Sequence, residues 1–87
     1  MGNMGEINVW FRDEKCFVKE TEGKVFLRPC CGGNIRITQF KGGNCQIERV
    51  APGCYVIWGE TKDGPMHELM VIIKCAETVC LNPILKG

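Results

Sequence analysis

Long apolar runs are missing from this 87-residue chain. The strongest, residues 69–73, falls far short of the about 20 consecutive residues that a membrane-spanning helix needs. No charge sign dominates: eleven Lys and Arg stand against ten Asp and Glu, a net charge of +1. That balance excludes a module that grips nucleic acid through a basic face, and it excludes a polybasic membrane binder. Histidine occurs once, at His67, and aromatic residues make up 8%. No Cys-x-x-Cys, Gly-x-Gly-x-x-Gly, phosphate loop or His-Glu-x-x-His occurs. The common zinc knuckle, dinucleotide and metalloprotease signatures are therefore absent. Residues 1–6 carry neither a basic start nor an apolar core, so no secretory signal is read there, and the expected location is cytoplasmic.

What is present is an ordinary globular composition, 45% hydrophobic and 24% charged. Residues 1–87 are read as a single domain, one small enough to fold with little margin. Cysteine is the exception. There are seven, at 16, 30, 31, 45, 54, 75 and 80. An odd count leaves at least one thiol unpaired within the chain, and a reducing compartment would leave most of them so. As a group they read as small buried hydrophobes.

Two placements suggest more. Cys30 and Cys31 follow Pro29 and precede Gly32 and Gly33 in a turn-rich segment. Neighbouring side chains in an extended chain face opposite ways, so one of the two is expected to meet water. Open glycine amides beside it would lower its thiol pKa. This makes Cys30 and Cys31 the reactive-thiol site, or, with further ligands from elsewhere, a soft-metal site. Cys75 and Cys80 flank residues 76–79, which read as a hairpin tip, and they are the local disulfide pair if the chain is oxidised.

Period-2 alternation runs through the chain. Ile7, Val9 and Phe11 alternate with Asn8, Trp10 and Arg12, a strand with one buried face. Residues 15–20 suggest a second strand, and residues 24–28 a third, closed by Pro29. In residues 34–40, Ile35 and Ile37 share a face. Gly42-Gly43-Asn44, Pro52-Gly53 and Asp63-Gly64 mark turns. Residues 67–74 are apolar on both faces, with Leu69, Val71 and Ile73 opposite Met70 and Ile72, as expected of a central or covered strand. Residues 78–85 form the last strand, with Pro83 at an edge or end. Seven to eight short antiparallel strands at this spacing make an all-β sandwich. A helix over 12–22, with Gly23 as its C-cap, would make the class α+β instead.

Residues 42–85 resemble the carboxypeptidase regulatory-like and collagen-adhesin B-type modules, which are prealbumin-like sandwiches. The residues that carry the likeness are Gly42-Gly43-Asn44-Cys45-Gln46-Ile47 and Val50-Ala51-Pro52-Gly53-Cys54-Tyr55, with residues 71–79 as a penultimate hairpin and residues 80–85 as the closing strand. The resemblance implies a non-enzymatic stalk, spacer or interaction domain. It also implies a test for an isopeptide bond between Asn82 and Lys15 or Lys19, assisted by a buried Glu60.

The expected function is a binding or structural module that engages a protein partner or itself, without nucleic acid and without membrane insertion. One alternative is thiol or soft-metal chemistry at Cys30 and Cys31. The other is a subunit of an intracellular or phage-type assembly, with Trp10, Met70 and Ile72 at the contacts. Nothing places a cysteine beside His67 as a nucleophile pair. Asp13/Glu14 and Glu20/Glu22 read as solvated surface. Trp10, Tyr55 and Trp58 read as core packing before they read as a sugar or base platform.

Overall fold

Ile7, Val9 and Phe11 all point to the interior and are fully buried, as their alternation requires. The computed structural model describes residues 3–86 and contains seven strands among them. These are β1 (Gly5–Trp10), β2 (Gly23–Pro29), β3 (Arg36–Phe40), β4 (Asn44–Val50), β5 (Gly53–Thr61), β6 (Gly64–Ile73) and β7 (Thr78–Leu81). They form two sheets, one ordered β4-β1-β7 and the other β3-β2-β5-β6. The architecture is the expected all-β sandwich, and the described residues include no helix. All ladders are antiparallel except β1–β7, which is parallel.

The core lies between the sheets. Ile7, Val9, Cys45, Ile47 and Val50 meet Val25, Leu27, Ile57, Val71 and Ile73 there. Phe11 and Phe40 stack at one end, ring centroids 4.8 Å apart and planes 10° from parallel. Three short connections carry the chain from sheet to sheet: residues 41–43, 51–52 and 74–77. Between β3 and β4, Gly42 and Gly43 hold φ of 72° and 76°, the left-handed pair that a two-residue turn demands. Between β4 and β5, Ala51-Pro52-Gly53 turns the chain, and the Tyr55 hydroxyl donates back to the Ala51 carbonyl at 2.6 Å. This tie across a corner resembles the tyrosine corners of other sandwiches.

Several expectations need correction. Residues 12–22 form neither a helix nor a strand. Asp13 organises them as a loop, its Oδ1 accepting from the backbone N–H of Lys15 (2.8 Å) and of Phe17 (3.1 Å). An aspartate that binds backbone amides two and four residues on competes with both regular structures. No hairpin joins the last two strands, because β6 and β7 belong to different sheets. Cys75 and Cys80 therefore do not oppose each other in a ladder. Cys80 instead lies beside Asn8 of β1. Finally, β6 is not central. It is an edge strand, paired only with β5.

Candidate interaction surface

In the four-stranded sheet the even-numbered residues of β2 and β5 point away from the core. On β2 these include Phe26 and Arg28, and on β5 Val56 and Trp58. The ladder sets Phe26 opposite Trp58 and Arg28 opposite Val56. On the flanks, Ile37 of β3 lies opposite Phe26, and Met70 of β6 lies opposite Val56. The outer face is thus an apolar strip. Trp58 stacks on Phe26 at 5.3 Å, and the Arg28 guanidinium sits over the Trp58 ring at 5.7 Å. Ile37, Ile72 and Met70 are 57%, 63% and 70% exposed. An antiparallel sheet whose outer face met only water would carry polar side chains there, so this face is the informative surface of the molecule.

Its border is also open. Edge strands are usually blunted by charge, proline or a bulge. In β6, Pro65 and a bulge protect the first half: Ile57 opposes Leu69 while Gly59 opposes Met66, so β6 has one extra residue there. Residues 69–73 have no such protection.

Of the three residues expected at contacts, Met70 and Ile72 share this face and Trp10 does not. Trp10 lies on β1 in the other sheet, opposite Asn44, and is half-buried. Trp10, Tyr55 and Trp58 consequently form no joint platform. Sequence reasoning missed Phe26, Val56 and Ile37. The alternation in residues 24–28 and 34–40 gave both faces of each strand, but not which face met the core.

The thiol sites differ from expectation as well. Cys30 and Cys31 are both exposed, in a turn closed by the Gly32 N–H donating to the Pro29 carbonyl at 3.1 Å. The Cys30 thiol is raised above its ordinary value, not lowered. The cause is first a hydrogen bond with the Cys54 side chain, then desolvation and the charges of Cys54 and Cys31, against a smaller opposing effect of Arg28. Cys45 is the buried thiol, pushed up to about 11 by burial. Among the described residues no three His, Cys, Asp or Glu side chains gather as a metal-holding group, so the soft-metal reading of Cys30 and Cys31 has no assembled ligand set there.

The isopeptide reading lacks its buried carboxyl group. Glu60 is exposed opposite Lys24, and Asn82 is exposed, its Oδ1 accepting from Arg12 Nε and Nη2 at 3.1 and 3.0 Å. Lys15 lies in the exposed Asp13 loop. His67 is exposed in a depression with Pro65, Ile84 and Lys86, and no cysteine lines it. An open groove of about 570 Å³ is bordered by Lys24, Lys41, Lys62, Glu22 and Phe40.

No protein-family model matches the chain, and no curated protein matches it. Solved structures do. The TIE protein of Bacillus anthracis is similar over 95% of this chain, with a TM-score of 0.70 and 13% identity. The major pilin subunit of Bacillus cereus is similar over 98%, with a TM-score of 0.70 and 15% identity. The minor pilin of Streptococcus agalactiae is similar over 100%, with a TM-score of 0.69 and 19% identity. This chain spans 17%, 30% and 47% of their respective lengths. The likeness shows the fold, a β-sandwich that this chain shares with a part of each of these proteins.

Proposed function

We propose that this chain is a non-enzymatic assembly module, a distant member of the collagen-adhesin B-type sandwiches, which associates with a second copy of itself through the edge of β6. One observation carries the reading: the apolar outer face of the four-stranded sheet runs out to an unprotected strand edge at residues 69–73. The similarity to pilin domains, proteins that form assemblies as subunits, supports the same class of role.

The register of such a pairing follows from the ladder. The Cys30 N–H donates to the Cys54 carbonyl at 2.9 Å, so the backbone groups of Cys54 point toward β2. Backbone direction alternates along a strand, so Tyr55 points toward β6 and meets Val71. The N–H and C=O groups of Met70 and Ile72 are then directed off the open edge. An antiparallel pairing about a two-fold axis at Val71 sets Met70 against Ile72 of the second copy. Just beyond the paired segment it brings the Glu68 side chain of one copy toward the Lys74 side chain of the second, twice by symmetry. Opposite charges close both ends of an apolar centre, and the near-neutral net charge of +1 gives little repulsion between copies.

Sedimentation velocity over a concentration series tests this. The expected result is a monomer–dimer equilibrium, abolished by Met70→Lys with Ile72→Lys and weakened by Lys74→Glu. Lys74→Glu combined with Glu68→Lys should restore it. A monomer at every concentration up to the solubility limit overturns self-association.

A further inference from the structure

The β2–β5 ladder continues one step past its last paired residues, Pro29 and Tyr55. The next residues, Cys30 and Cys54, oppose each other, joined by the 2.9 Å bond from the Cys30 N–H to the Cys54 carbonyl. Residues opposed in this hydrogen-bonded register have Cα atoms about 5.5 Å apart. That lies within the about 4.4–6.8 Å that a disulfide spans. Opposed side chains also leave the sheet on the same face. Here it is the outer face, the one that carries Phe26 and Trp58. Cys30 is exposed while Cys54 is half-buried.

Pro29 makes the arrangement possible without loss of pairing. In this register its missing N–H would point away from β5, so the ladder stays intact up to the cysteines. The turn of Cys31 and Gly32 beyond it keeps Cys30 at the surface.

We propose that Cys30 and Cys54 are a reversible dithiol–disulfide pair that clasps the ends of β2 and β5, with a small-molecule disulfide, RSSR, as the oxidant. Cys30, the exposed thiol, loses its proton and attacks one sulfur of RSSR. This forms a mixed disulfide and releases one RSH. The Cys54 thiolate then attacks the Cys30 sulfur, closes the protein S–S bond and releases a second RSH. The protein loses two S–H bonds and two electrons, and RSSR gains both. A bridge that is exposed at a sheet surface is open to the reverse attack by a small thiol, which makes it switchable. Cys31 is the neighbour of the site and not its partner.

The clasp does not rest on the assembly reading, since it forms within one chain. The full-length protein is equilibrated with oxidised and reduced glutathione at set ratios, quenched by alkylation, and mapped by peptide mass spectrometry. The expected product is an intrachain Cys30–Cys54 bond that survives in Cys31→Ser and is absent in Cys54→Ser and in Cys30→Ser. Its formation should raise the melting temperature by about 10–25 °C, as expected for closing a loop of this length in a small domain. Reduction should reverse the shift. Circular dichroism of the serine variants confirms that they fold. A Cys30–Cys31 bond, bonds only between chains, or full alkylation of Cys30 and Cys54 after oxidation would each overturn the proposal.

Discussion

Trp58 lies directly across the ladder from Phe26, their rings stacked with planes 9° from parallel on the outer face of the four-stranded sheet. Two large rings at a sheet surface, with Arg28 over one of them, bind β2 to β5 from outside while Val25, Leu27 and Ile57 bind them from within. A double-mutant cycle with Phe26→Leu and Trp58→Leu, read by urea denaturation, should give a coupling of about 1 kcal/mol. A coupling near zero would reduce the pair to independent apolar cover.

The two turn glycines separate conformational strain from steric conflict. Both hold left-handed φ, and a side chain at Gly42 would stand in open space. A Cβ at Gly43 would collide with the Lys19 carbonyl oxygen. Gly43 is also fixed from both sides, its carbonyl accepting from Phe11 N–H and its own N–H donating to Thr21 O. Gly42→Ala should therefore cost about 1 kcal/mol, the left-handed penalty alone. Gly43→Ala should cost at least about 2 kcal/mol, because the Asp13 loop must move as well. Equal melting temperatures for the two variants would contradict this account.

How much of this was legible beforehand depends on whether local or distant residues decide it. Ile7, Val9 and Phe11 face inward because their alternating partners are more polar, so β1 could be read directly. Ile35 and Ile37 alternate as cleanly and yet face water. On β3 it is Phe40, at the end of the strand, that reaches the core and sets the register. Residues 67–74 are apolar on both faces in the sequence, and in the structure Val71 and Ile73 are buried while Met70 and Ile72 are exposed. Only the sheet order shows that none of the described residues covers the second face. The parallel β1–β7 pairing and the meeting of Cys30 with Cys54 are long-range registers, and no local pattern encodes them. Asp13 is different. An acidic residue that opens a polar stretch is an ordinary signal for a side-chain-capped loop, and it explains why the apolar residues 16–18 make no strand.

Tyr55 is the tie at the corner between the sheets. Its ring packs against the core and its hydroxyl donates to Ala51 O at 2.6 Å. Tyr55→Phe keeps the ring and removes one hydrogen bond, so the expected loss is about 1 kcal/mol with little change in the denaturant slope. Tyr55→Ala removes both ring and bond and should cost clearly more. If Tyr55→Phe is as stable as the parent chain, the bond is exchanged for water at no cost and the corner is held by Pro52 and packing.

Cys45 gives the chain a pH limit on the alkaline side. It sits on β4 opposite Val9, 1% exposed, with its thiol pushed up to about 11 by burial. In the unfolded chain the same thiol ionises near 9.0. Between those values the unfolded state releases a proton that the folded state keeps, so the unfolded state binds fewer protons and stability falls as pH rises. The contribution is fully present below about pH 9 and is lost progressively as pH rises toward about 11. Urea midpoints at pH 8, 9 and 10 should therefore decline, and Cys45→Ala should flatten the decline while lowering stability at pH 8. Alkylation should follow the same logic: Cys45 reacts only at the rate of global opening, while Cys16, Cys31 and Cys75 react at once. Rapid labelling of Cys45 in the folded protein would show that β1 and β4 do not cover it.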